Sequence, residues 1–212
     1  AVTCLLANGH LLIEDLPGMG KTTLSHALAN VFGLDDTRIQ FTSDLLPADV
    51  LGVSIFNQST QVFSFHQGPV FNQIVLADQI NRASPQSQSA LLEAMEERQV
   101  SIDGKTYPLP RPFFVIATQN PSYQSGTYPL PESQLDRFLM RIVLGYPNVA
   151  AEKRMLLEQY DDTRHTTEPM LTITDLFAAQ KACQDIHVSD AVIGYILRLA
   201  NHTRNEPEFP NA

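Results

Sequence analysis

Short apolar runs alternate along this chain with longer stretches of helical spacing. Leu11-Leu12-Ile13-Glu14, Arg38-Ile39-Gln40-Phe41 and Ile74-Val75-Leu76-Ala77-Asp78 read as strands, as do residues 113–118 and 141–144. Their near-continuous apolar character predicts burial on both faces, which is the signature of a parallel sheet. Leu24, Ala27, Leu28 and Val31 recur at helical spacing and predict a helix over residues 21–32. Residues 85–97 predict a second, amphipathic helix, and shorter helices are expected over 46–52 and 131–138. Two hairpins interrupt this alternation. One pairs residues 54–56 with 62–65 around Asn57-Gln58-Ser59-Thr60. The other pairs 100–103 with 106–109 around Asp103-Gly104. After Tyr146-Pro147 only helical patterns remain, over 150–160, 173–186 and 189–201. The expected organisation is an α/β domain over residues 1–146 followed by a helical domain over 147–212.

Composition changes this picture little. Of 212 residues, 43% are hydrophobic and 17% charged, as in an ordinary globular chain. The net charge of −9, with no Lys/Arg cluster, argues against nucleic acid and against an anionic membrane surface. No apolar run has the length of a membrane span. Cys4 and Cys183 are too few for a disulfide framework or a zinc site, which fits a reducing cytoplasm.

Candidate chemistry begins between the first strand and the first long helix. Glu14-Asp15-Leu16-Pro17-Gly18-Met19-Gly20-Lys21-Thr22 has the make-up of a phosphate-binding loop. Glycines let the backbone N–H groups of a tight turn and a helix N-terminus approach phosphate oxygens. Lys21 supplies positive charge and Thr22 a hydroxyl for Mg²⁺. Asp15, Pro17, Gly18, Met19, Gly20, Lys21, Thr22 and Thr23 form the candidate ATP-binding set. The usual motif opens on Gly where this chain has Asp15; Asp tolerates positive φ, so the loop can still form.

The strand ending at Asp78 supplies a carboxylate of the kind that holds Mg²⁺ in P-loop proteins. The next position normally carries Glu, the base that orients the attacking water. Here it is Gln79, whose amide has nearly the same shape and cannot accept the proton. ATP is expected to bind while hydrolysis is slow. Two origins fit: a substitution introduced to hold the ATP state, or a natural slow variant.

The stretches Ala77-Asp78-Gln79-Ile80-Asn81-Arg82-Ala83 and Gln88-Ser89-Ala90-Leu91-Leu92-Glu93-Ala94-Met95-Glu96-Glu97 together resemble the MoxR family of AAA+ ATPases. Ala117-Thr118-Gln119-Asn120-Pro121, Gly126-Thr127-Tyr128-Pro129-Leu130-Pro131-Glu132 and Gln134-Leu135-Asp136-Arg137-Phe138 extend the resemblance over nearly the whole chain. In that family the phosphate loop often opens Glu-Asp, so Asp15 fits it; Gln79 departs from it. The resemblance implies a three-layer α/β/α P-loop module with two inserted hairpins and an all-α lid. The lid is expected to be incomplete here, because the stretch in which the family carries a second sensor arginine is not reached by Ala212. It also implies a ring, commonly hexameric, with ATP at subunit boundaries. The implied role is chaperone-like work on a protein client, often alongside a partner with a von Willebrand factor A domain.

By the same resemblance Asn120 is the sensor of the γ-phosphate or the attacking water, and Arg137 the arginine finger that reaches a neighbour's γ-phosphate. Each has a plainer alternative: a turn-forming Asn before Pro121, and a local ion pair of Arg137 with Asp136 or Glu132. Arg82 is placed equally by a subunit boundary and by a structural ion pair. Phe56, Phe63 and Phe65 are expected to pack rather than to touch substrate, and the Lys105 tip is a candidate pore element. Two rival functions stay open: an ATP-gated binding scaffold that hydrolyses little, and a DNA-translocating relative, against which the acidity weighs.

Overall fold

Alternate residues of one strand decide how the layers assemble. In β5 (Ile74–Asp78), Ile74 and Leu76 enter one apolar cluster while Val75 and Ala77 enter another on the opposite face. The same division runs through β1 (Leu11–Glu14) and β8 (Phe114–Gln119). Both faces of this sheet are therefore covered, as the continuous apolar runs require. The computed structural model describes residues 1–14, 20–59, 61–120, 126–158 and 169–205.

Among the described residues the main sheet has five strands. Its order is β2 (Asp36–Gln40), β5, β8, β1, β9 (Met140–Ile142), and every pairing is parallel. On one face lie α1 (Val2–Leu6) and α2 (Lys21–Phe32), with Cys4, Leu5, Leu28, Ala29 and Phe32 packed on Leu11, Ile13, Leu76 and Ile116. On the other face α4 (Pro85–Glu97) contributes Leu91, Leu92 and Met95. The short helix α3 (Pro47–Leu51) adds Val50 to the same cluster. Ser84 caps α4, its hydroxyl accepting from the Ser87 N–H, and Pro85 occupies the first turn, where a missing N–H costs nothing.

The hairpins form two separate two-stranded sheets, β3 (Gly52–Asn57) with β4 (Val62–Gln67) and β6 (Gln99–Ile102) with β7 (Lys105–Pro108). At the base of the first, Gly52 has φ +106, and a Cβ there would meet the His66 carbonyl oxygen at 2.3 Å. Only glycine fits this crossing of backbones. The expectation that all three hairpin phenylalanines pack away holds for Phe65. Its ring lies 4.3 Å from Tyr107 and 5.8 Å from Phe71, which joins the two hairpins. Phe56 and Phe63 pair with each other, yet remain 47% and 63% exposed.

After β9 the described residues form only helices: α6 (Val149–Glu158), α7 (Ile173–Gln184) and α8 (Asp190–Asn205), following the short α5 (Glu132–Leu135). Leu176 of α7 is buried among α1 and α2 side chains, and Gln180 Nε2 donates to the Leu5 carbonyl at 2.8 Å. Along α8, Val192, Ile193, Ile196 and Leu199 form a half-exposed apolar stripe at helical spacing. No helix among the described residues is long and apolar enough to cross a membrane.

His10 shows how tightly the base of the sheet is built. Its ring is buried edge-on to Phe113, and Nδ1 accepts the Val115 N–H at 3.1 Å. Burial, reinforced by the nearby Arg98 charge, pushes its pKa from 6.5 down to about 4. Protonation would also set an N–H against the Val115 N–H. Because the folded-state pKa lies below the unfolded one, the stabilisation is complete above pH 6.5. It is lost as pH falls from 6.5 towards 4. Acidification from pH 7 to 5 is expected to remove about 2 kcal/mol through this residue alone. Urea titrations at the two pH values check this. His10→Gln, whose amide oxygen can still accept from Val115, should lose less on acidification; an unchanged pH dependence would rule the assignment out.

Candidate functional site

A parallel sheet collects its strand ends at one edge, and the loops there converge. At the carboxyl edge Glu14 of β1 stands level with Gln119 of β8, and Asp78 of β5 with Gln40 of β2. Gln79 and Asn120 are the residues next in chain after β5 and β8. Glu14 is ion-paired with Arg141 of β9 on the flank of this edge.

The helix α2 starts at the same edge. Its N-cap is Gly20, at φ 73 and ψ 18, a left-handed conformation with open space where a Cβ would lie. Among the described residues no side chain caps the helix, and Lys21, Thr22 and Thr23 form its first turn, the kind of helix N-terminus that suits an anion. Lys21 is buried at 7% exposure. Asp15, Pro17, Gly18 and Met19 lie outside the described residues.

Asp78 is held from two sides. Its Oδ1 accepts the Thr118 hydroxyl at 2.6 Å, and its Oδ2 accepts Nη2 and Nε of Arg38 at 2.6 and 3.2 Å. Thr118 Oγ1 in turn accepts the Gln79 N–H at 2.8 Å. One hydroxyl thus fixes both acidic-motif residues to the neighbouring strand. Gln79 leaves β5 in a left-handed turn, φ 57 and ψ 48, and its Oε1 accepts Arg82 Nη1 at 3.1 Å. Arg82 therefore has a partner inside its own turn.

Asn120 is buried, and the amide of Asn81 clamps its backbone: Asn81 Nδ2 donates to the Asn120 carbonyl at 2.9 Å, and the Asn120 N–H donates to Asn81 Oδ1 at 3.2 Å. Gln88 of α4, also buried, donates through Nε2 to the carbonyls of Ile80, Ala83 and Tyr128. Buried amides that meet several backbone acceptors hold a turn rigid. The edge is thus preorganised by Thr118, Asn81, Gln88 and Arg38, none of which the sequence pattern marked with a role. Asn81 and Gln88 sit within otherwise suggestive motifs, but Asn120 and Tyr128, which they hold, lie 39 and 40 residues away and leave no local signal.

Arg137 is placed elsewhere. It ion-pairs at 2.7 Å with Glu96, near the end of α4, rather than with Asp136 or Glu132. The chain then enters β9 level with Leu11, at the amino edge of the sheet. Within one chain Arg137 and Asp78 are at opposite ends of the sheet.

The donors fit the groups the loop suggests. A threonine hydroxyl and a carboxylate are hard oxygen ligands of the kind Mg²⁺ takes alongside water and phosphate. Uncapped helix N–H groups with a buried lysine suit phosphate. Among the described residues there is no cluster of three or more His, Cys, Asp or Glu that would hold a metal without such help.

Comparison with known proteins agrees with this geometry. A family model described as "ATPase family associated with various cellular activities (AAA)" matches residues 10–140. YeaC of Bacillus subtilis is 50% identical over 98% of this chain and 65% of its own length. The chaperone MoxR1 of Mycobacterium tuberculosis is 44% identical over 96% of this chain and 54% of its own. A crystal structure of a candidate ATPase from Cytophaga hutchinsonii superposes with a TM-score of 0.86 at 40% identity. It covers 95% of this chain and 62% of that one. This chain spans roughly half to two thirds of the length of these relatives.

Proposed function

We propose, from the premise that this chain belongs to the MoxR family of AAA+ ATPases, that it binds ATP with Mg²⁺ at the carboxyl edge of its sheet and uses the ATP state to remodel or mature a protein partner. The observation that supports this reading is a rigidly held Asp78-Gln79 turn, tied to Thr118 of β8, at the same sheet edge as the glycine-started N-terminus of α2. Backbone N–H groups from Gly20 onward, with Lys21, Thr22 and Thr23, would bind the phosphates, and Asp15, Pro17, Gly18 and Met19, outside the described residues, are the remaining candidates of the set. Thr22 and Asp78 would hold Mg²⁺, which when bound neutralises phosphate charge. Asn120, whose backbone is held by the Asn81 amide, would sense the γ-phosphate.

Position 79 decides the output. Gln79 positions water without taking its proton, so the chain holds ATP and cleaves it slowly. The same residue supports a second reading, an ATP-gated scaffold whose assembled state is the product. Arg137 acts in trans, in a ring that we take as hexameric, and a von Willebrand factor A protein is the expected co-worker.

Lys21→Ala tests the binding half of the reading. A fluorescent ATP analogue with Mg²⁺ is expected to bind this variant at least tenfold more weakly than the parent, while the folded signal in circular dichroism is kept. Equal affinities would overturn the assignment of the loop.

A further inference from the structure

At the amino edge of the sheet, on the far side from Asp78, two arginines share a cleft. The cavity holds about 250 Å³ and is lined by Asn8, Arg98, Arg111, Pro112, Phe177 and Gln180. That is several times the ~30 Å³ share of one water. Among the described residues no carboxylate lines it. Concentrated positive charge is unexpected in a chain of net charge −9.

Arg98 is fixed by its surroundings. It ends α4 in a left-handed conformation, φ 53, which glycine adopts at lower cost. Its Nη1 and Nη2 donate to the side chain and carbonyl of Asn8 at 2.9 and 2.7 Å, and its own carbonyl accepts the Leu109 N–H. Arg111 has its backbone pinned, its carbonyl accepting Gln73 Nε2 at 3.3 Å, while the residue is exposed and lines the cleft. Burial, and then repulsion from Arg111, lower the Arg98 pKa, so the two guanidiniums feel each other. Like charges held together in a concave site favour an anion that bridges them, and planar guanidinium forks match tetrahedral oxyanions.

We propose that this cleft is a second anion site, made for a phosphate group, free or carried on a small molecule, and separate from the loop at Gly20. Arg111 is the principal ligand, with Arg98 the preset second cation. Phe177 gives an apolar wall for whatever carries the phosphate. The walls come from the residues after α1, the end of α4, the entry to β8 and α7, which Gln180 ties to Leu5. Occupation would therefore brace α7 against the sheet.

The test is calorimetric titration of inorganic phosphate and of glycerol phosphate, at constant ionic strength, into the chain saturated with a non-hydrolysable ATP analogue and Mg²⁺. Acetate and chloride are the controls. Saturable phosphate binding is expected, at least tenfold weaker in Arg111→Glu and intermediate in Arg111→Lys. The exposed Arg111 side chain makes both variants suitable, and circular dichroism verifies their folding. Stronger binding of glycerol phosphate than of phosphate would identify a carried group, and the reverse a free ion; either supports the site. Equal binding to the parent and to Arg111→Glu overturns it, as does a chloride or acetate response equal to that of phosphate.

Discussion

Gln79→Glu is expected to raise ATP turnover by about 10²–10⁴-fold, the usual contribution of a positioned general base. The backbone needs no adjustment. Position 79 is set in its left-handed turn by the Thr118 hydroxyl on the Gln79 N–H, a contact indifferent to the side chain. The amide and the carboxylate have the same shape, so ATP affinity should change little and the effect should appear in kcat. Arg82 donates to the oxygen at this position. It would hold a carboxylate at least as well, keeping it ionised and oriented. Steady-state turnover with Mg²⁺·ATP, beside analogue binding to both proteins, reads the result. A Gln79→Glu protein that assembles and binds ATP at parental turnover would sink the hydrolytic role of this site and leave the scaffold reading.

In the Gln79→Glu background, Arg137→Ala is expected to lower turnover by about 10³–10⁵-fold, as loss of an arginine finger does. Because Arg137 and Asp78 lie at opposite ends of one chain's sheet, the loss is expected to act between subunits. Engagement requires Arg137 to leave Glu96, and both partners of that pair are partly exposed, so release costs little. Subunit mixing supplies the discriminating measurement. An Arg137→Ala subunit keeps its nucleotide loop, and a Lys21→Ala subunit keeps its arginine. Rings mixed from the two should recover a fraction of the turnover that neither shows alone. Full loss without recovery, in rings shown to be mixed, would reduce Arg137 to a structural partner of Glu96.

Periodicity and loop chemistry were legible because they are local. Ile74 to Asp78 reads as a buried strand from its apolar run, and its parallel neighbours take both faces as that run requires. Asp103-Gly104 marks the second hairpin because few residues accept its turn, and both have positive φ in the fold. The candidate phosphate loop is a local pattern for the same reason, since what it would do resides in consecutive backbone N–H groups; residues 15–19 of it lie outside the described residues.

The support of the site was not legible, because it is made by pairs distant in sequence. Thr118 reads as one more residue of a buried strand until β5 and β8 lie side by side and its hydroxyl meets Asp78 and Gln79. Arg38 appears on an edge strand with nothing nearby to suggest that it neutralises Asp78 across 40 positions. Arg98 and Arg111 are neither adjacent nor periodic; the ends of α4 and β7 and the entry to β8 bring them to one cleft. The sequence by itself determined the strands, the helices, the hairpins and the residue types available for chemistry, since these depend on side-chain spacing and backbone preference over a few positions. Only the tertiary structure decided which charge faces which. An electrostatic or hydrogen-bonded partner is chosen by distance in space, and chain order does not encode that distance.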